Sequence, residues 1–272
     1  MIPIFVISLP QAIQKQERMK KLMQGLDLPF EFVWGIDGRL LTEEELQEIF
    51  DKEKSYNYFK WYRNRTGAAG IELSRGEIGC ALAHRKAHQK IVDEGIERAI
   101  ILEDDAFVSD FFPHIIEKVV ASIDQNSIRR NLIIKLDVKS STEVGYYKKI
   151  KNTLNRFLRP VQIRIDKELA IVKTPINFGG AQGYYIDNAA AHTMLSLNNP
   201  VFITSDEWNY YARFVKVRAL NKDIASAKGG HGWDGKSDIW NDFPIQASVS
   251  FKYRYIGVIK KIIIKIYLLL WR

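Results

Sequence analysis

Residues Ala99-Ile100-Ile101-Leu102-Glu103-Asp104-Asp105 constrain the fold most, because four apolar residues run without a break into three acids. A short β-branched run bounded by polar residues is a buried strand, and such a strand delivers its terminal carboxylates to the rim of a sheet. Three adjacent anions repel one another. Their juxtaposition is reasonable where something cationic sits among them, and hard oxygen ligands suit Mg²⁺ or Mn²⁺ carrying substrate phosphates. An acidic turn after a strand is the alternative reading of the triplet taken alone.

The surrounding segments alternate between strand and helix patterns. Met1 to Leu9 lacks a basic leader and a small-residue cleavage site, so it reads as a first strand and not as a signal peptide. Gln11 to Leu26 places Ile13, Met19, Leu22, Met23 and Leu26 among Lys and Arg at helical spacing. Phe30 to Trp34 alternates as a second strand, closed by a turn at Asp37-Gly38. Strand, helix, strand implies a parallel, right-handed crossover. Thr42 with Glu43 to Glu45 opens a short helix over 41–50, and Ser74 with Glu77 forms a capping box opening a helix to about Glu94. Phe111 to Ile123 is a further amphipathic helix and Asn131 to Asp137 a further buried strand. In an open α/β sheet of this kind, ligands gather at the strand carboxyl ends, where Glu103 to Asp105 lie.

Later segments are less regular. Tyr56 to Gly70 is rich in aromatics, Arg and Gly without a clean period, either a lid near the site or a surface loop packed by its own aromatics. Ile163 to Lys173 alternates like one strand. The glycines of Gly179-Gly180-Ala181-Gln182-Gly183 precede a strand where a dinucleotide fingerprint would open a helix, so they are read as allowing close approach to a sugar. Asp187 caps a helix over Asn188 to Leu197. Asp206-Glu207-Trp208 is a second acidic pair, with Ser205 or Asp206 as a candidate helix cap. Val215 to Leu220 is a short strand, and Lys228 to Asp238 a glycine-rich loop holding His231, Trp233 and Asp234.

The 272 residues, 46% hydrophobic and 26% charged, can bury a substantial core. A net charge of +8 and pI near 9.3 call for an anionic partner: a nucleotide, a nucleic acid or an acidic membrane surface. Nucleic-acid binders concentrate charge in a groove lined by exposed aromatics. Here much of the excess sits in one run, Lys148 to Arg159, and in the terminal segment, so nucleic acid is not the expected partner. The single cysteine, Cys80, excludes an internal disulfide, fits a reducing compartment and reads as a packing residue. His84 and His88 share one helix face, but without an HExxH pattern they read as satisfied or ligand-facing histidines and not as a zinc site. From Tyr255 to Arg272 an apolar helix pattern carries Lys261, Lys265 and Arg272 on one narrow stripe. Its uninterrupted run Ile266 to Trp271 is far short of the roughly 20 residues that span a bilayer. It suits an interfacial helix on anionic lipid, with docking onto the core as the competing reading.

Taken together, Val6-Ile7-Ser8-Leu9 with Arg18-Met19, Asp37-Gly38, Leu73-Ser74-Arg75-Gly76-Glu77-Ile78-Gly79-Cys80-Ala81-Leu82-Ala83-His84 and Ile101-Leu102-Glu103-Asp104-Asp105 resemble glycosyltransferase family 25. That family includes bacterial lipooligosaccharide galactosyltransferases and collagen galactosyltransferases. The likeness spans roughly residues 2–220, with Gly183 to Ile186 and Asp206-Glu207-Trp208 matching its second half. It implies one GT-A-like, Rossmann-type α/β domain with a mixed central sheet over 1–254, the donor half at about 1–140 and the acceptor half at about 141–254. The likeness fades beyond Leu220, so residues 255–272 are expected to be a separate membrane-associating tail from their amphipathic pattern alone.

The same resemblance implies an inverting transfer of a hexose, most often galactose from UDP-galactose, to a lipid-linked lipooligosaccharide or lipopolysaccharide acceptor at the cytoplasmic face of the inner membrane, with Mn²⁺ or Mg²⁺. Asp105 leads as metal ligand, with Glu103 and, by a looser match, His231. Asp206 and Glu207 take the place of the pair from which the catalytic base is drawn, Glu207 first. Ser8, Arg18, Glu77, His84, Glu103, Asp104 and Lys135 match positions expected near the nucleotide. A basic nucleic-acid-processing protein and an inactive membrane-associated homologue are the competing functions.

Overall fold

The structure is a computed structural model that describes residues 2–66, 72–126, 128, 130–137, 161–173 and 180–226, with side chains only to Lys60 in the helix that ends at Thr66. Its first half runs β1 (Ile4–Ser8), α1 (Ile13–Gly25), β2 (Glu31–Trp34), a 3-10 turn (Gly38–Leu40), α2 (Glu43–Ile49), α3 (Lys52–Thr66), α4 (Arg75–Asp93), β3 (Arg98–Glu103), β4 (Phe107–Val108), α5 (Phe112–Gln125) and β5 (Leu132–Lys135). There follow β6 (Val161–Arg164), β7 (Ala170–Lys173), β8 (Gly183–Asp187), α6 (Asn188–Leu197), α7 (Trp208–Tyr211), β9 (Lys216–Leu220) and β10 (Ala225–Ser226).

Eight strands form one mixed sheet in the order β2-β1-β3-β8-β5-β9-β7-β6, while β4 and β10 pair separately. Parallel pairing joins β1 to both β2 and β3, and β5 to β9; β8 runs antiparallel between β3 and β5. The amino end of β8 therefore lies beside the carboxyl ends of β1, β3 and β5, and that shared edge is where the acids collect. This is the expected α/β architecture with a mixed central sheet. The tail at 255–272, the basic run and the loop holding His231 lie outside the described residues.

Both sheet faces are covered, which is why the central strands read as continuous apolar runs. Side chains of a strand alternate between faces. Phe5, Ile7, Ala99, Ile101 and Ile133 accordingly pack with α4 residues Ile78, Ala81, Ala87 and Ile91 and with Met194 of α6. Their neighbours Ile4, Val6, Ile100, Leu102 and Ile134 pack on the other face with Met19 and Met23 of α1 and Phe112, Ile116 and Val119 of α5.

Local signals account for most boundaries. Ser74 and Glu77 close a capping box on α4, and Thr42 with Glu45 one on α2. Asp187 caps α6 through the Ala190 amide at 2.8 Å and also accepts from the Leu132 amide at 3.0 Å, tying β8 to β5. Glycine matters where α4 meets the turn after β2: a Cβ on Gly79 would lie 2.6 Å from the Gly38 nitrogen and the Ile36 carbonyl oxygen.

Three expectations change. Tyr56 to Thr66 belongs to helix α3: the Asp51 carboxylate accepts from the Lys54 amide at 2.8 Å, and Ser55 and Phe59, one turn apart, are buried. Aromatics outside that stripe, such as the partly exposed Tyr56, blurred the period. Ile163 to Lys173 is a hairpin and not one strand, because Asp166 turns the chain by accepting from the amides of Glu168 and Leu169 at 2.9 and 2.8 Å. Finally, the N-cap of α7 is Glu207, whose side chain makes no capping bond, in place of Ser205 or Asp206. Among the described residues no helix is long and apolar enough to cross a membrane.

Candidate functional site

At the end of β3 the alternation of the strand separates the three acids. Glu103, on the parity of Ala99 and Ile101, turns toward α4, where its Oε1 lies 3.2 Å from His84 Nε2. Asp104, one residue on, turns toward α1. Its Oδ2 accepts from the Ser8 hydroxyl at 2.6 Å, and Lys15 Nζ lies 3.8 Å from Oδ1. Arg18 holds the turn itself, donating to the carbonyl oxygens of Asp104 at 3.1 Å and Ala106 at 2.5 Å. Ser8 and Arg18 thus act on the acidic turn directly.

Asp105 follows in the turn, and its Oδ1 is buried without a hydrogen-bond partner. Burial, and then the negative charge of Glu103, push its carboxyl group up to about 7, against the opposing pull of Lys15. An orphaned, desolvated carboxylate oxygen is the kind of ligand a hard divalent cation takes, and one or two carboxylates together with substrate phosphates suffice to hold Mg²⁺. Gln182 Oε1, just ahead of β8 at the same edge, is likewise buried without a hydrogen-bond partner. The residues present fit Mg²⁺ or Mn²⁺.

Behind Glu103 runs a buried chain of polar groups. His84 Nδ1 and His88 Nε2 each lie 2.8 Å from the Tyr184 hydroxyl. Burial, and secondly the neighbouring His84, depress His88 to about 3, so it is neutral at ordinary pH, while burial raises the Tyr184 phenol well above its usual value. The chain is satisfied when His88 donates to the phenol oxygen, the phenol donates to His84 Nδ1, and His84 Nε2–H donates to Glu103. His84 therefore supports Glu103 from inside the protein. Cys80 lies one turn before His84, its Sγ 3.5 Å from the Ser205 hydroxyl oxygen, and burial pushes its thiol well up.

Lys135 is fully buried. It forms an ion pair with Asp137 at 3.2 Å, and its Nζ lies 5.6 Å from the centre of the Trp208 ring. Asp137, at the same sheet edge, is a residue that sequence reasoning passed over. The signal was present: a lysine inside an apolar strand needs a partner, and a residue two positions on shares its face. Glu77 is committed to the capping box, accepting from the Ser74 amide at 2.8 Å.

The second acidic pair divides its work. Asp206 accepts from the Gly180 amide at 2.7 Å and from the Thr204 hydroxyl at 2.8 Å, so both its oxygens hold the loop together. Trp208 Nε1 donates to the Gly180 carbonyl at 2.9 Å. Gly180, at φ +86°, thus brings its backbone close to Asp206 and Trp208, a structural role for part of the stretch read as a sugar contact. Glu207 instead accepts from the Tyr58 hydroxyl of α3 at 3.0 Å and remains half-buried.

The mixed α/β sheet, covered on both faces and with acids at its carboxyl edge, is the arrangement expected of a nucleotide-sugar transferase domain. Residues 1–208 match the family model described as "Glycosyltransferase family 25 (LPS biosynthesis protein)", and the chain belongs to that family. It is similar to procollagen galactosyltransferase 2 of Homo sapiens, at 28% identity over 130 residues, which are 48% of this chain and 20% of that protein. It is equally similar to the probable inactive glycosyltransferase 25 family member 3 of Rattus norvegicus, at 28% identity over 48% of this chain and 22% of that protein. The matched stretch thus spans about a fifth of the length of these curated relatives. Superposition on a solved structure titled mannose-1-phosphate geranyltransferase, from Thermus thermophilus, covers 80% of this chain and 73% of that one, with a TM-score of 0.32 at 10% identity.

Proposed function

We propose that this glycosyltransferase family member is a metal-dependent, inverting hexosyltransferase that moves galactose from UDP-galactose to a sugar hydroxyl of a lipid-linked lipooligosaccharide or lipopolysaccharide. The observation that carries the reading is the buried, donorless Asp105 Oδ1 at the carboxyl edge of the sheet, beside Glu103 and Asp104. The family description and the galactosyltransferase relatives support the substrate class.

Mn²⁺ or Mg²⁺, held by Asp105 with Glu103 beside it, would stabilise the charge that develops on the departing nucleoside diphosphate. His231, outside the described residues, is a further ligand candidate. Ser8 and Arg18 fix the turn that presents Asp105, and Lys15 adds positive charge beside it. Glu207 removes the proton from the acceptor hydroxyl as that oxygen attacks the anomeric carbon opposite the leaving group. Asp206 is the weaker candidate for this role because both its oxygens already brace the loop. Tyr58, donating to Glu207, orients the base. The tail at 255–272 would hold the protein on anionic lipid at the cytoplasmic membrane face, close to lipid-linked acceptors.

The decisive experiment measures transfer from UDP-galactose and UDP-glucose with Mn²⁺ for the wild type, Glu207→Gln and Asp206→Asn. Glu207→Gln should lower kcat by about 10²–10⁴-fold with the donor KM little changed. Undiminished kcat in that variant would reject Glu207 as the base. Because similar proteins include ones named inactive, donor binding without turnover in the wild type would favour a non-catalytic member instead.

A further inference from the structure

Three metal-ligating side chains of different chemistry converge behind the acidic turn. Cys80 Sγ, a ring nitrogen of His84 and a carboxylate oxygen of Glu103 all lie within 4.8 Å of one another. Ligand atoms around a tetrahedral zinc ion stand about 3.5 Å apart. His84 Nε2 and Glu103 Oε1 are already at 3.2 Å, so only the thiol must close in. Two of the three are fixed by one rigid helix, where Cys80 and His84 stand one turn apart on the sheet-facing side of α4, and the third by the end of β3. The trio is not sealed: the Glu103 side chain is 20% exposed and Cys80 is half-buried.

From this geometry we infer that Cys80, His84 and Glu103 form a binding site for a thiophilic divalent cation, zinc by preference. The inference does not rest on the transferase reading. A sulfur, an imidazole nitrogen and one carboxylate oxygen suit Zn²⁺ better than Mg²⁺ or Mn²⁺, and three protein ligands leave a fourth position open. A metal-ligating histidine needs an acceptor for its other ring N–H. Here Tyr184 supplies it: when Nε2 binds the ion, Nδ1–H donates to the phenol oxygen and the phenol O–H turns to His88 Nε2. In either direction the phenol and the ring nitrogens that face it are hydrogen-bonded, the His88 proton moving from Nε2 to Nδ1 in the second. The number of protons on His84, Tyr184 and His88 is therefore unchanged, and the only proton released is that of the Cys80 thiol, which becomes the thiolate ligand. Glu103 belongs both to this trio and to the acidic turn, so occupancy here draws that carboxylate away from Asp105.

Cobalt(II) is the probe, because its thiolate complexes absorb intensely in the near ultraviolet and the chain has one cysteine. Titrating the full-length, metal-free protein with Co²⁺ should produce that charge-transfer band at one equivalent, and Zn²⁺ should displace it. Cys80→Ser should abolish the band, His84→Gln and Glu103→Gln should weaken binding at least tenfold, and Asp105→Asn should retain it. No band in the wild type, or one indifferent to His84→Gln and Glu103→Gln, would overturn the site. Loss of the band in Asp105→Asn alone would assign the ion to the acidic turn, which also overturns it. Should the substitutions impair folding, the wild type still decides: zinc must slow alkylation of Cys80 by iodoacetamide and EDTA restore it, and equal rates refute the inference.

Discussion

Replacing Asp105 with Asn should stabilise the metal-free protein at alkaline pH. Asp105 is buried beside Glu103, and its carboxyl group is pushed up to about 7 from an ordinary value of 3.8. The sign follows from linkage. The folded state holds this proton more tightly than the unfolded chain does, so ionisation favours unfolding and stability falls as pH rises from about 4 to about 7. At 1.36 kcal/mol per pH unit, the penalty reaches about 4 kcal/mol by pH 8, with somewhat under half of it already present at pH 5. Asparagine keeps the shape and carries no charge. The variant's gain over wild type should therefore grow by about 2–3 kcal/mol between pH 5 and pH 8. Urea unfolding in EDTA at the two pH values measures this, and taking the difference between the proteins cancels the titrating groups remote from Asp105, leaving Asp105 and the acids that interact with it, Glu103 first. Saturating Mn²⁺ at pH 8 should restabilise the wild type and leave the variant where it was. A stability difference independent of pH, or one favouring the wild type at pH 8, would refute the premise that this carboxylate is desolvated and uncompensated.

Two other perturbations probe the frame around the site. Gly79→Ala improves helix propensity by about 1 kcal/mol, yet its Cβ would meet backbone at Gly38 and Ile36, which no rotamer change can relieve. Net destabilisation of about 1–3 kcal/mol is expected in urea melts, and a variant as stable as the wild type would show that the contact between α4 and the turn is not close. Deleting residues 255–272 should release the protein from anionic vesicles in flotation assays, the wild-type binding weakening with added salt; retained binding would reject the tail as the membrane contact.

Much of the fold was legible because its signals are local. The capping boxes at Thr42 and Ser74, the cap at Asp187 and the apolar runs at Ile4, Ile100 and Leu132 all resolve into the elements they imply. What escaped is set by partners distant in sequence. The antiparallel insertion of β8 between β3 and β5 leaves no mark on any one strand, yet it brings Gln182 and Gly180 to the edge occupied by Glu103 and Asp137. The hairpin at Asp166 was masked because its two arms, read through the turn, imitate a single alternating strand. The aromatic stretch in α3 lost its helical period because only Ser55 and Phe59 among its described residues are fully buried, with Tyr58 packed partly buried beside them.

The acidic triplet was half legible. Its place at a strand end follows from the residues before it, and the tolerance of three adjacent anions follows from period-two alternation, which sends Glu103 to α4 and Asp104 to α1 and leaves Asp105 in the turn. The same rule, carried one step further, marks the trio behind it. Cys80 and His84 continue the inward stripe of Ala87 and Ile91 on α4, and Glu103 shares the parity of Ala99 and Ile101, which pack against that stripe. The pattern places the cysteine, the histidine and the glutamate on facing surfaces, and the docking of α4 on β3 brings their ligand atoms within 4.8 Å of one another. That constraint separates Glu103 from its neighbours: Asp104 is committed to Ser8, Lys15 and the turn, Asp105 is left desolvated, and Glu103 alone is shared between the acidic edge and the sulfur and nitrogen donors of α4.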